Sequence, residues 1–318
     1  MNSAAEEGRR APPALLPLCR ALGDLKRIRS AGRAGSIAER MFAAAWTRIA
    51  AGGHPDAVAR DTVRAALIAT RLGDLDAGTL GQAGVPPAEV GRIQGAALAQ
   101  AIVPLDMATR AWLAGEARAE PAAVSTSPPA FVARLAAQPR AGATHPERGR
   151  LMLEPPESHA EHCLVVAVIG ALLAPTWDAG SETVFLAGLA HHLHNALLPD
   201  SGFAGEMLLG EWLQPAFTRA TALALQELDP IPRNRVQAAL RIIPDAATPE
   251  GRAFHAADTL DRVLQVEHHL RAAGTTMDFV LRQMELVHAG PTRTFQDAVL
   301  ARFGLMAEPP EARGGVAA

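Results

Sequence analysis

Apolar residues recur every three or four positions through nearly all of the chain, and no stretch sustains the two-residue alternation of a half-buried strand. β-branched runs are short and tyrosine is absent. The pattern predicts an all-α protein. In the first half it predicts helices at about 12–30, 34–51, 55–72, 86–100 and 104–118. The stretch AEPAAVSTSPPA, residues 119 to 130, breaks the periodicity with proline, serine and small residues and reads as a linker. A short helix near 129–137 follows, then a loop rich in proline and glycine up to Pro156.

The second half is more regular. In PESHAEHC, Ser158 is followed three residues later by Glu161, a capping box that starts a helix near His159. GSETVFLAGLAHHLHNALL starts another near Ser181, and Thr248 with Pro249 starts a third, because threonine caps well and proline is tolerated at the first helical position. Helices near 205–228, 231–243, 276–288 and 292–303 complete a bundle, and EPPEARGGVAA reads as a frayed tail. The organisation expected is an N-terminal helical region over 1–140, to which no role attaches, a second domain over 141–308 and a flexible tail over 309–318.

Composition narrows the function classes. The chain has 318 residues, 49% hydrophobic and 20% charged, with a net charge of -3, so the basic footprint of a general nucleic-acid binder is missing. Lys26 is the only lysine; the other cations are arginines. TLGQAGVPPAEVGRI, residues 79 to 93, imitates a helix-turn-helix, but Leu80 crowds the helix crossing and Glu89 sits beside the lone Arg92, so two short helices around a glycine turn are expected. Cys19 and Cys163 form neither a disulfide framework nor a metal knuckle. The apolar run LVVAVIGALLAP, 164 to 175, is too short for a bilayer, and MNSAAEEGRR makes a poor signal peptide; a cytoplasmic location is expected.

GLAHHLHNALLPD, residues 188 to 200, holds three of the eleven histidines. The order His162, then His191-His192, then Asp258 resembles the HD-domain superfamily of metal-dependent phosphohydrolases, and within it the branch related to the bacterial 5'-deoxynucleotidases. The matching stretches are ESHAEHCLVVAVIGALLA, FLAGLAHHLHNALLPDSG and FHAADTLDRVLQVEHHLRAAG, within about residues 145 to 305. The resemblance implies an HD-type helical bundle with a divalent metal ion (Zn, Mn, Co or Fe) held by His162, His191 and Asp258. It also implies a nucleotide or other phosphomonoester as substrate. Neither nucleic acid nor membrane is an expected partner, and a homodimer is the assembly allowed for.

Two positions depart from the family pattern. His192 stands where the HD aspartate belongs, and Asn195 stands where the branch has a glutamate beside the attacking water. Imidazole still ligates Zn or Fe, so His192 is carried as the fourth ligand, but one negative charge is lost. Asn195 cannot exchange a proton, which leaves Asp200 as the proton-handling candidate. Reduced or altered hydrolysis is expected, with a catalytically inactive binding or regulatory protein as the alternative. Arg148 and Arg150 precede the first motif and are the candidate phosphate contacts. Simpler roles compete: Asp258 can pair with Arg262 one turn on, His162 can be a bonded core histidine, Asp261 is a second carboxylate candidate, and His159 belongs at the rim.

Overall fold

The computed structural model describes residues 8, 10–115, 127–145 and 147–274, with the backbone alone at 145, 148, 149, 272 and 273. The helices expected at 276–288 and 292–303, the tail over 309–318 and most of the linker lie outside the described residues. The first compact unit spans residues 1–265, and a second begins at Val266.

The protein is all-α. Its helices are α1 (Leu16–Asp24), α2 (Ile37–Ala50), α3 (Pro55–Leu72), α4 (Ala77–Gln82), α5 (Pro87–Ala101), α6 (Met107–Ala114), α7 (Ala130–Ala137), α8 (His159–Leu173), α9 (Ser181–Ala190), α10 (Gly202–Leu209), α11 (Leu213–Leu225), α12 (Pro230–Ala239) and α13 (Pro249–Gly274). Two short antiparallel hairpins interrupt them. β1 (Arg29–Ser30) pairs with β2 (Arg33–Ser36), and β3 (Ala143–His145) pairs with β4 (Arg148–Leu151).

Both hairpins correct the sequence reading. The first helix, expected to reach residue 30, stops at Asp24, and the chain turns back on itself at Ala31 and Gly32, between the paired Ser30 and Arg33. The second hairpin occupies what periodicity left as a loop. Strands of two to four residues are too short to show a two-residue rhythm.

Elsewhere the local signals match the elements. Ser158 accepts from the Glu161 N–H while Glu161 accepts from the Ser158 N–H, so the capping box forms as expected. Thr248 Oγ1 accepts the Gly251 N–H at 3.0 Å and starts α13. The stretch 79–93 is two helices around Gly84, whose φ is 85°, and Arg92 is paired with Glu89 at 2.7 Å.

The core forms around α8. Every residue of α8 is buried, and its neighbours include α2, α3, α7 and α9, so one hydrophobic cluster runs from Leu15 to Ala257 across position 140. With its 3-10 extension this helix, His159–Trp177, is long and apolar enough to cross a membrane by length and composition, but 89% of that window is buried inside the protein. It is the hydrophobic centre of the bundle.

Helices α8 and α9 approach very closely. A Cβ on Gly188 would lie 2.5 Å from Ala167 Cα and 2.7 Å from its nitrogen, and one on Gly170 would lie 2.7 Å from Val184 Cγ1. Only glycine at 188 lets the two backbones meet, and that contact sets the height of the histidines that follow. Gly188→Ala is expected to destabilise the protein by about 1–3 kcal/mol, since its neighbour is backbone that cannot swing aside. The urea midpoint measures this, and an unchanged midpoint would refute the close approach.

Candidate metal centre

α9 ends at Ala190, and the chain passes through His191 and His192 into a 3-10 turn, Leu193–Ala196. The turn splits the histidine pair. The His191 ring lies 5.0 Å from that of His162 on α8, while the His192 ring packs 4.6 Å from that of His159, one helical turn before His162. Asp258 and Asp261 reach the same place from α13.

His162 is fully buried and has a carboxylate on each side. Its Nδ1 lies 2.7 Å from Asp261 Oδ2, and its Nε2 lies 3.3 Å from Asp258 Oδ1 and 3.1 Å from His191 Nε2. His191 Nδ1 lies 2.7 Å from the Gly188 carbonyl. A carbonyl only accepts, so His191 carries its proton on Nδ1. His162 likewise donates from Nδ1 to Asp261. Both Nε2 lone pairs therefore point at each other and at Asp258 Oδ1, which is 4.0 Å from His191 Nε2.

Three electron-pair donors this close repel one another unless a cation, a proton or a metal ion, lies among them. Ligands held at about 2.0–2.1 Å from one ion stand about 3–3.4 Å apart, near the spacing here. The donor set fits a divalent ion: two imidazoles with outward N–H groups fixed by a carboxylate and a carbonyl, plus one carboxylate. The competing roles foreseen for Asp258 coexist, because Oδ1 faces the imidazoles while Oδ2 lies 3.3 Å from Arg262 Nε.

His192 is close to these ligands but differently engaged. Its Nδ1 bonds Asn195 Oδ1 at 2.8 Å, and its Nε2 meets Arg140 Nη1 at 3.0 Å. A guanidinium can only donate, so that nitrogen's lone pair is taken. Even so, His162, His191 and His192 each offer a ring nitrogen within 4.8 Å of the others, so His192 has metal-ligand spacing, with Arg140 competing for its Nε2. Asn195 also donates to the Leu198 carbonyl at 3.1 Å. Asp200 accepts the Ala141 and Gly202 N–H groups, each at 2.9 Å, and ties two loops together. Arg150 is exposed and reaches the Ser201 carbonyl at 3.4 Å, and only the backbone of Arg148 is described.

Three residues here were missed in the sequence. Arg140 is placed by an antiparallel bridge between Pro139 and Ser158, with its N–H on the Glu157 carbonyl at 2.9 Å; nothing in its local sequence marks it. Glu206 on α10 lies in the fields of Asp200 and Arg140, and burial followed by Asp200 raises its carboxyl. Lys26 carried the one visible signal, being the only lysine in the chain. It is 3% exposed, and its Nζ lies 2.6 Å from Glu157 Oε2 and 2.6 and 2.7 Å from the two oxygens of Asp261. Glu157, His162 and Asp261 also have metal-ligand spacing, but the ammonium already supplies the positive charge between those carboxylates.

A cavity of about 670 Å³ opens beside His191, lined by Gln214, Phe217, Thr218 and Gln237 among others and by no acidic or basic side chain other than His191 itself. A cavity of about 740 Å³ on α2 and α3 shares none of these residues, and its Arg40 and Asp74 are paired at 2.6 Å. A scan against protein-family models, a search of the curated proteins and a search of the solved structures each find no match to this chain.

Burial keeps four of the histidines neutral. It pushes His159 down to about 2, His191 to about 3 and His194 to about 4, and His192 also falls well below the usual histidine value; Arg140 or neighbouring histidines add to the effect at His159, His191 and His192. Burial alone would raise the Asp258 carboxyl, but positive charge on the side of His162 and His191, and the Arg262 guanidinium, hold it well below the usual range.

In the unfolded chain these four histidines take up protons below about 6.5. Their contribution to stability is therefore whole above that pH and is lost as the pH falls toward 4, by about 1.4 kcal/mol per pH unit for each histidine. His159, fully buried with no hydrogen bond on either ring nitrogen, gives the cleanest test. In chelator, His159→Leu should flatten the acid limb of a urea-midpoint-against-pH curve by about one proton; an unaltered slope would show that His159 titrates normally.

Proposed function

We propose that the chain is a metal-dependent protein of the phosphohydrolase type, built on an HD-like bundle, with slow turnover of a phosphomonoester such as a nucleotide. One observation carries the reading: the Nε2 lone pairs of His162 and His191 face each other at 3.1 Å, with Asp258 Oδ1 at 3.3 Å from the first. A bound divalent ion supplies Lewis-acid polarisation of a phosphoryl oxygen.

The protein's own groups do the rest. Asp261 and the Gly188 carbonyl hold the two imidazoles in the tautomer that leaves Nε2 free. Arg140 lies one residue beyond, at His192, where its guanidinium suits a phosphate oxygen. The cavity beside His191 gives an uncharged, hydrogen-bonding lining to the alcohol part of the substrate.

Slow turnover follows from the proton-handling residues. Asn195 has no exchangeable acid, and both oxygens of Asp200 accept backbone N–H groups. A missing acid or base costs about 10²–10⁴ in rate. The same two residues favour the second reading, a metal-holding protein that binds a phosphorylated partner without cleaving it.

The deciding measurement is metal content in protein purified without a His-tag or chelator, beside a His191→Ala/Asp258→Ala variant. Near-stoichiometric metal lost in the variant is expected, with weak chelator-sensitive hydrolysis of p-nitrophenyl phosphate and nucleoside monophosphates. Bound metal with no hydrolysis selects the second reading. No metal in either protein overturns both.

A further inference from the structure

We propose that Lys26 is a positioning residue for this centre: its ammonium, acting through Asp261, sets the tautomer and aim of His162. The consequence for metal binding rests on the function proposed above, while the effect on His162 itself does not.

Lys26 lies in the turn after α1, where the Leu25 N–H bonds the Leu22 carbonyl and the Arg27 N–H bonds the Asp24 carbonyl. Arg27 donates to Gln265 Oε1 at 2.5 Å, and Arg29 reaches Glu161 at 3.4 Å, so the segment is anchored on both sides of the lysine. Nζ bonds both oxygens of Asp261, which fixes the plane of that carboxylate. Oδ2 then accepts from His162 Nδ1 at 2.7 Å, and Nε2 is left bare toward His191 and Asp258.

An arginine would not replace it. Glu157 and Asp261 converge on a single nitrogen, whereas a guanidinium spreads its donors in a plane over several atoms. Without the ammonium, two buried carboxylates would face each other and the Asp261 plane would be free to turn. The first-half helices, to which the sequence assigns no role, thereby supply a part of the centre.

The test uses the full chain, metal-free and labelled with 15N-histidine, with His162 assigned from a His162→Gln variant. In the parent, His162 should show a protonated Nδ1 and a bare Nε2. Lys26→Met should lose that single pattern, and cobalt(II) binding, followed by visible absorption, should weaken about 10–100-fold, the usual effect of disturbing a ligand's hydrogen-bonded support. Glu157→Gln, which keeps the Lys26–Asp261 contact, should leave the His162 pattern in place. If Lys26→Met does not fold, Lys26→Met/Glu157→Gln, which removes one charge of each sign, is read in the same way. An unchanged His162 pattern in the folded variant overturns the proposal. A changed pattern in a protein whose parent binds no cobalt upholds the positioning role and removes the metal-site reading instead.

Discussion

The centre of the protein depends on one buried contact chain, Lys26 to Asp261 to His162. Its members come from the turn after the first long helix, from the last described helix and from the most buried helix of the core, and each is at most 3% exposed. Taking such groups out of water is costly, and an apolar trio of the same volume would hold the fold about as well. Removing a single member is different, because it strands a buried charge at a cost of about 3–5 kcal/mol. Lys26 is held as an ammonium by Asp261 and Glu157, which outweigh the burial that alone would lower its pKa. The chain's effect is therefore placement: it ties the N-terminal helices to the histidines and gives His162 one orientation.

Around that chain, each imidazole is given a distinct task by what bonds its outer nitrogen. Asp261 and the Gly188 carbonyl turn the Nε2 atoms of His162 and His191 inward. Arg140 and Asn195 bond the two nitrogens of His192, which also has ligand spacing to His162 and His191. His192 and Asn195 bond to each other, His192 donating from Nδ1 to Asn195 Oδ1. The neutral His–Asn pair adds no negative charge beside His191 and His162.

Much of the scaffold was legible in the sequence because it follows from local physics. The Ser158–Glu161 box, the Thr248 cap, the periodicity of α2 and α3 and the apolar run of α8 each depend on residues within a few positions of one another. His162, His191 and Asp258 were expected together only through the resemblance to HD-domain proteins, and the structure places them side by side. Asp261 was visible only as a rival to Asp258. The structure assigns them to opposite nitrogens of one imidazole, a distinction that needs the orientation of α13 against α8. The hairpin over 29–36 was missed because strands this short carry no period, and Arg140 because a bridge to Ser158 places it.

By itself, then, the sequence determined an all-α chain, its main helix starts and a set of histidines and carboxylates suited to a divalent ion. Tertiary structure alone decided which of them share a point. It brought His162, His191 and Asp258 together, turned His192 toward Arg140, and made Lys26, 131 residues from Glu157 and 235 from Asp261, the counter-charge of the site. The physical reason is range. Helix capping and periodicity act over a few residues, whereas a buried charge finds its partner only when packing has excluded water from around both.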